Sequence, residues 1–151
     1  MRIRHAEPSD HARVAAVIDE WWGGRQMRNM LPRLFFTHFR DTSFVAEDDE
    51  GELAGFLCGF LSQTYPEQAY VHFVGVSPEH RGAGLARVLY ERFFAAASAA
   101  GRTSVHCVTS PANSGSLAFH ARIGFEVEAE VDGYDGTGES RVLLRKNLAA
   151  G

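Results

Sequence analysis

The segment Val74-Gly75-Val76-Ser77-Pro78-Glu79-His80-Arg81-Gly82-Ala83-Gly84-Leu85-Ala86 reads as a strand, a tight loop and the start of a helix, a succession suited to holding an anion. The first N–H groups of a helix have no partner within it, and the macrodipole adds partial positive charge there, so a phosphate supplies what the backbone lacks. Gly82 and Gly84 let phosphates approach the main chain, and Arg81 offers a charge-assisted contact to the same group. Two familiar phosphate motifs fail. No G-x-x-x-x-G-K-[ST] loop is present, and the dinucleotide fingerprint wants a third glycine where Arg87 stands. Nucleotide hydrolysis and hydride transfer both lose support. Glycines placed only for turning are the plain alternative.

The elements around this loop follow from periodicity and breakers. Arg2 to Glu7 reads as a strand, and Pro8-Ser9-Asp10 opens a helix with Val14, Val17, Ile18 and Trp21 at three-four spacing, stopped by Gly23-Gly24. A second helix is predicted from Arg28 to Phe39, with Pro32 in its first turn or dividing it. Ser43 to Glu47 and Leu53 to Gln63 read as a hairpin around Asp48-Asp49-Glu50-Gly51-Glu52. Ala69 to Ser77 is nearly continuous in apolar residues, as a central strand covered on both faces would be. Gly84 to Ala100 is a long amphipathic helix, Thr103 to Val108 a buried strand, and Asn113 caps a short helix that Gly124 ends. Phe125 to Val131 alternates apolar residues with Glu126, Glu128 and Glu130 on the wet face, and Arg141 to Leu148 closes the sheet.

Bulk properties fit one ordinary domain spanning residues 1–151: 45% of residues are hydrophobic, 23% charged, and the net charge is −4. A chain of this length buries roughly 68–70% of its unfolded surface and needs neither disulfides nor a structural metal. Cys58 and Cys107 each sit in an apolar run, as buried reduced thiols of a cytoplasmic protein do. No apolar stretch reaches the roughly 18 residues of a membrane span, and Met1-Arg2-Ile3-Arg4-His5 lacks a signal-peptide core. The acidic balance argues against nucleic acid as partner. His5, His11, His38, His80 and His106 show no metal-ligand spacing, so no metal is expected. Charge is uneven: four arginines and no acid lie between Trp21 and Arg40, whereas Glu126 to Glu139 carries acids without a base. Solvated faces are the plain reading of such runs.

Two blocks now define a resemblance. Arg81-Gly82-Ala83-Gly84-Leu85-Ala86 fits [QR]-x-x-G-x-[GA], and Asn113-Ser114-Gly115-Ser116-Leu117-Ala118-Phe119-His120-Ala121-Arg122-Ile123-Gly124-Phe125 looks like N-x-x-[AS]-x-x-[LF]-[YH]-x-x-x-G-F. The chain resembles the GNAT superfamily of acyl-CoA-dependent N-acetyltransferases over nearly its whole length. The resemblance implies an α/β GNAT-like fold whose mixed, mostly antiparallel central sheet carries helices on both faces. It implies acetyl-CoA as donor and co-substrate, its pyrophosphate on the amides of Arg81, Gly82, Ala83, Gly84, Leu85 and Ala86. The pantetheine arm would run beside Val74, Gly75 and Val76, with Asn113, Ser116, Phe119 and His120 also touching CoA. Gly75 in a bulky strand agrees with a bulge or close approach, simple packing being the competing view.

Direct transfer to an amine requires a proton acceptor, since an alkylamine has a pKa near that of Lys, about 10.4. Alternation places Tyr70, His72, Val74 and Val76 on one strand face, leaving two polar side chains where apolar ones are the rule. His72 is the candidate base, and Tyr70 matches the site of a base in other family members. A structural hydrogen bond to a neighbouring strand is the alternative for His72. Most of the family places Tyr where this chain has His120, so the usual phenol acid is missing, and His120 either donates a proton or positions the cofactor. Trp22, Arg25 and Phe35 fall in the family's acceptor-binding region, and Tyr134 lies in a Gly-rich loop. The expected activity is acetyl transfer from acetyl-CoA to a primary amine of a small molecule. The alternatives are acetylation of a protein N-terminus or lysine, and a non-catalytic acyl-CoA-binding regulatory module. Family members are often homodimers.

Overall fold

A computed structural model describes residues 1–149. Seven strands form, β1 (Arg2–His5), β2 (Phe44–Glu47), β3 (Leu53–Leu61), β4 (Gln68–Val76), β5 (Ser104–Thr109), β6 (Glu126–Val131) and β7 (Arg141–Asn147). The helices are α1 (Asp10–Trp21), α2 (Leu34–Thr37), α3 (Leu85–Ala99) and α4 (Ser114–Arg122). Hydrogen-bonded neighbours run β1-β2-β3-β4-β5-β7-β6. The β1–β2, β2–β3, β5–β7 and β6–β7 pairs are antiparallel and β4–β5 is parallel, so the sheet is mixed and mostly antiparallel, as expected.

The chain makes two compact units. The first comprises Met1–Phe60 with Val71–Ala96. Its core gathers Val14, Ile18 and Trp21 of α1, Phe35 and Phe36 of α2, Val45 of β2, and Phe56 and Cys58 of β3. The three-four spacing of α1 delivers its residues to that core. Ser9 makes no side-chain cap; Asp10, one residue on, accepts from the Glu7 amide at 2.8 Å. Asp10 is 1% exposed and its carboxylate is held by Arg4 at 2.8 and 2.9 Å, with Arg13 at 3.3 Å. Arg4 and Arg13 also reach Glu47, which ties β1, α1 and β2 through one charge network.

The predicted helix from Arg28 to Phe39 is broken. A 3-10 turn (Arg28–Met30), α2 and a second 3-10 turn (Arg40–Thr42) replace it. Pro32 has no N–H to give a preceding turn and disfavours helical geometry in the residue before it, so the segment divides there. β4 also differs from a strand covered on both faces: Ala69, Val71 and Gly75 are buried, while Tyr70, His72, Val74 and Val76 are half-buried.

The second unit comprises Leu61–Tyr70 and the chain from Ala97 onward. Here β4 pairs with β5 at Gln68↔Ser104, Ala69↔Val105 and Tyr70↔His106. The core holds Ala69, Val105, Cys107, Ile123, Phe125, Val142 and Leu144. Arg102 closes the β3–β4 turn from inside, donating to the Ser62, Tyr65 and Gln68 carbonyls at 2.8, 3.3 and 3.3 Å. β6 departs from its expected half-buried alternation, for every residue in it is exposed, Val127 by 62%. It is an edge strand, and the register shift between Val127 and Ala129 together with its glutamates suits an edge kept from further pairing.

Candidate active site

The strand-loop-helix joint lies in the first unit. β4 ends at Val76, the Ser77 amide donates to the Ala54 carbonyl at 2.8 Å, and a 3-10 turn (Pro78–His80) leads into Arg81. Gly82 and Gly84 have φ of 84° and 80°, a region that side chains with a Cβ rarely adopt. α3 closes its first turn with Val88 N–H to Gly84 O at 3.2 Å, so the amides just before Val88 fall outside the helical ladder. A Cβ at Gly82 or Gly84 would meet nothing within 4 Å. The surface over both glycines is therefore open, and the loop fits a diphosphate laid against its backbone.

The Arg81 guanidinium is bonded to backbone carbonyls of its own unit. It donates to the Trp21 carbonyl at 2.5 Å and to the Val76 carbonyl at 3.3 Å, fastening the loop to the end of α1. Gly75 is explained by packing: a Cβ there would lie 2.6 Å from the Phe56 ring and 2.8 Å from Trp22. Trp22 is half-buried, with its ring 4.9 Å from Phe73. Phe35 belongs to the core, and Arg25 is exposed.

His72 stacks on Phe35 with centroids 4.8 Å apart and planes 9° from parallel, and its Nε2 lies 2.5 Å from the Met30 carbonyl. A carbonyl only accepts, so Nε2 carries the proton and Nδ1 keeps the lone pair of the neutral ring. Sequence reasoning named His72 and missed its partner, since a backbone carbonyl 42 residues away leaves no trace in residue type.

The second unit holds the other candidates. Burial pushes the Tyr70 phenol upward, reinforced by Tyr134, Cys107 and Asp135, so Tyr70 stays protonated near neutrality. Asn113 caps α4 as predicted, its Oδ1 accepting from the Ser116 amide at 3.0 Å. His120 Nδ1 faces the Ser116 carbonyl at 2.7 Å and Ser116 Oγ at 3.2 Å, while Thr109 Oγ1 donates to that Oγ at 3.1 Å. Burial lowers the His120 pKa against the opposing pull of the Ser116 carbonyl, favouring the neutral ring. Phe119 and Phe125 meet the His120 ring edge-on at 5.4 and 5.2 Å. Tyr134 is 45% exposed in a loop with positive φ at Gly133, Gly136 and Gly138. Among the described residues no cluster of three His, Cys, Asp or Glu is disposed around a metal, and no helix is long and apolar enough to cross a membrane.

A mixed sheet with an open, two-glycine amide loop between a strand and a helix makes this an α/β protein with a candidate anion-binding joint. The chain belongs to the acetyltransferase (GNAT) family, whose model matches residues 8–125. It is similar to the L-2,4-diaminobutyric acid acetyltransferase of Chromohalobacter salexigens, 36% identical over 48% of this chain and 43% of that protein. The enzyme of the same description from Halomonas elongata is 27% identical over 76% of this chain and 65% of its own length. The chain thus spans less than two thirds of either relative. A Salmonella typhimurium protein solved with its cofactor acetyl-CoA shares the fold, with a TM-score of 0.75 and 19% identity over 100% of this chain and 95% of that one.

Proposed function

We propose that this protein transfers an acetyl group from acetyl-CoA to a primary amine of a small molecule. The open, two-glycine amide loop from Arg81 to Ala86 is the observation that carries this reading. Backbone N–H groups there hold the diphosphate, and Arg81 keeps the loop in shape by its bonds to Trp21 and Val76. The main chain at Val74 to Val76 pairs with the pantetheine amides and supplies an N–H to the acyl oxygen as negative charge develops on it. Bound acetyl-CoA supplies the activated thioester.

His72 accepts the amine's proton through Nδ1, because Nε2 is committed to Met30. Tyr70, its phenol pushed up by burial, keeps its proton and offers a hydrogen bond. His120, favoured as the neutral ring, is better suited to hydrogen bonding than to acting as an acid. Trp22 walls the acceptor's side and Arg25 offers charge to an anionic group on it. Two relatives named for L-2,4-diaminobutyric acid support an acceptor carrying both an amine and a carboxylate. The free, buried thiol of Cys58 supports residence in the cytoplasm.

The reading is tested by incubating the protein with acetyl-CoA and a panel of diamino acids, polyamines and peptide N-termini while following free thiol. Release dependent on a small amine is expected. Thiol release on peptides alone would transfer the activity to protein substrates, and release on no acceptor would leave a binding module.

A further inference from the structure

His72 owes its orientation to a turn that is itself held from α1. Asp19 Oδ1 accepts from the Met27 amide at 2.8 Å and from the Arg28 amide at 3.0 Å, so one carboxylate oxygen organises the start of the Arg28–Met30 turn. The Arg28 guanidinium returns to α1 and donates twice to the Ala15 carbonyl, at 3.2 and 2.9 Å. These bonds seat the turn so that the Met30 carbonyl meets His72 Nε2. Phe35 and Phe73 flank the imidazole. The orienting group is therefore a neutral backbone dipole.

We propose that Asp19 and Arg28 are positioning residues for proton transfer: by fixing the Met30 carbonyl they hold His72 as the Nε2-protonated tautomer, leaving Nδ1 to accept the proton. This rests on the acetyl-transfer reading and assigns two residues to it that touch no substrate. A base is effective when a third group orients it, and a carbonyl does for this ring what a carboxylate does in a catalytic triad. The bond persists when Nδ1 takes a proton, because Nε2 keeps its own. It then becomes charge-assisted. The proton leaves the amine while its bonding pair stays on nitrogen, so no other reactant is required.

Long-range proton–nitrogen spectra of the ¹⁵N-labelled full chain read the tautomer directly, with the His72 signals assigned by their loss in His72→Gln. The parent is expected to show Nε2 protonated and Nδ1 bare in the neutral ring. Asp19→Ala should produce a mixture of tautomers and lower kcat roughly tenfold or more, as displacement of a reacting group does, with KM for acetyl-CoA within about twofold. Asp19→Asn keeps an Oδ1 acceptor and should restore both. Should Asp19→Ala fail to fold, Arg28→Met gives the same readout. A parent ring protonated on Nδ1, or a folded Asp19→Ala protein with tautomer and kcat unchanged, overturns the proposal. Failure of the parent to bind acetyl-CoA in calorimetry overturns the transfer reading instead, and the spectra still decide the positioning.

Discussion

At the scale of single residues, the polarity of each candidate is set by what its other atoms touch. His72 donates through Nε2 and so accepts through Nδ1, whereas burial keeps Tyr70 a phenol. Replacement of His72 by Ala should therefore lower turnover by about 10²–10⁴-fold, the range of a positioned proton-transfer group. The loss should be greatest at low pH, where unprotonated amine is scarcest; a pH–rate profile parallel to the parent's would remove His72 as the base. Gly75→Ala makes a second test at this scale. Its new methyl would meet Phe56 and Trp22 at under 3.0 Å, so the change should cost about 1–3 kcal/mol in denaturant unfolding. Unchanged stability would show that both rings yield freely.

At the scale of elements, much was legible because local rules and tertiary context agree. The Gly84 to Ala100 reading became α3 at Leu85–Ala99, and Asn113 caps α4 as its type demands. Asn113→Ala should cost α4 about 1 kcal/mol by thermal unfolding, the usual loss for an N-cap. Illegible features depended on tertiary partners. Pro32 announced an interruption, but three short turns in place of one helix reflect the anchoring of Met27 and Arg28 on Asp19 and of Phe35 and Phe36 in the core. The alternation in β6 resembled that of a half-buried strand, yet every residue of it is exposed, so neither face is covered. In the candidate site, the open turn of the loop was readable from Gly82 and Gly84, since positive φ selects glycine. The use of Arg81 on two carbonyls and of Met30 on His72 was not, because carbonyls are identical in every residue.

At the scale of the whole molecule, stability should fail first in acid. Burial by itself would raise the Asp10 pKa, but hydrogen bonds from Arg4 and the Glu7 amide outweigh it and hold the carboxyl below its ordinary value. Glu47 is lowered by Arg4 and Arg13. A depressed folded pKa contributes stability that is complete above the unfolded value, about 3.9 for Asp and 4.3 for Glu, and is lost as pH falls through the folded one. Unfolding free energy should thus drop steeply below about pH 4. Arg4→Met should cost about 3–5 kcal/mol at neutral pH by leaving Asp10 buried with its main partner gone, and it should flatten the acid limb. An unchanged urea midpoint would show that Arg13 alone suffices.

Calorimetric titration of acetyl-CoA into the parent and into Gly84→Glu bears most directly on the central claim that main-chain amides of this loop hold the cofactor's diphosphate. The carboxylate would repel the phosphates and a Cβ at φ 80° would strain the loop that presents the amides, so affinity should fall by roughly 100-fold or more while the far-ultraviolet spectrum stays that of the parent. Equal affinity in the two proteins would contradict the account.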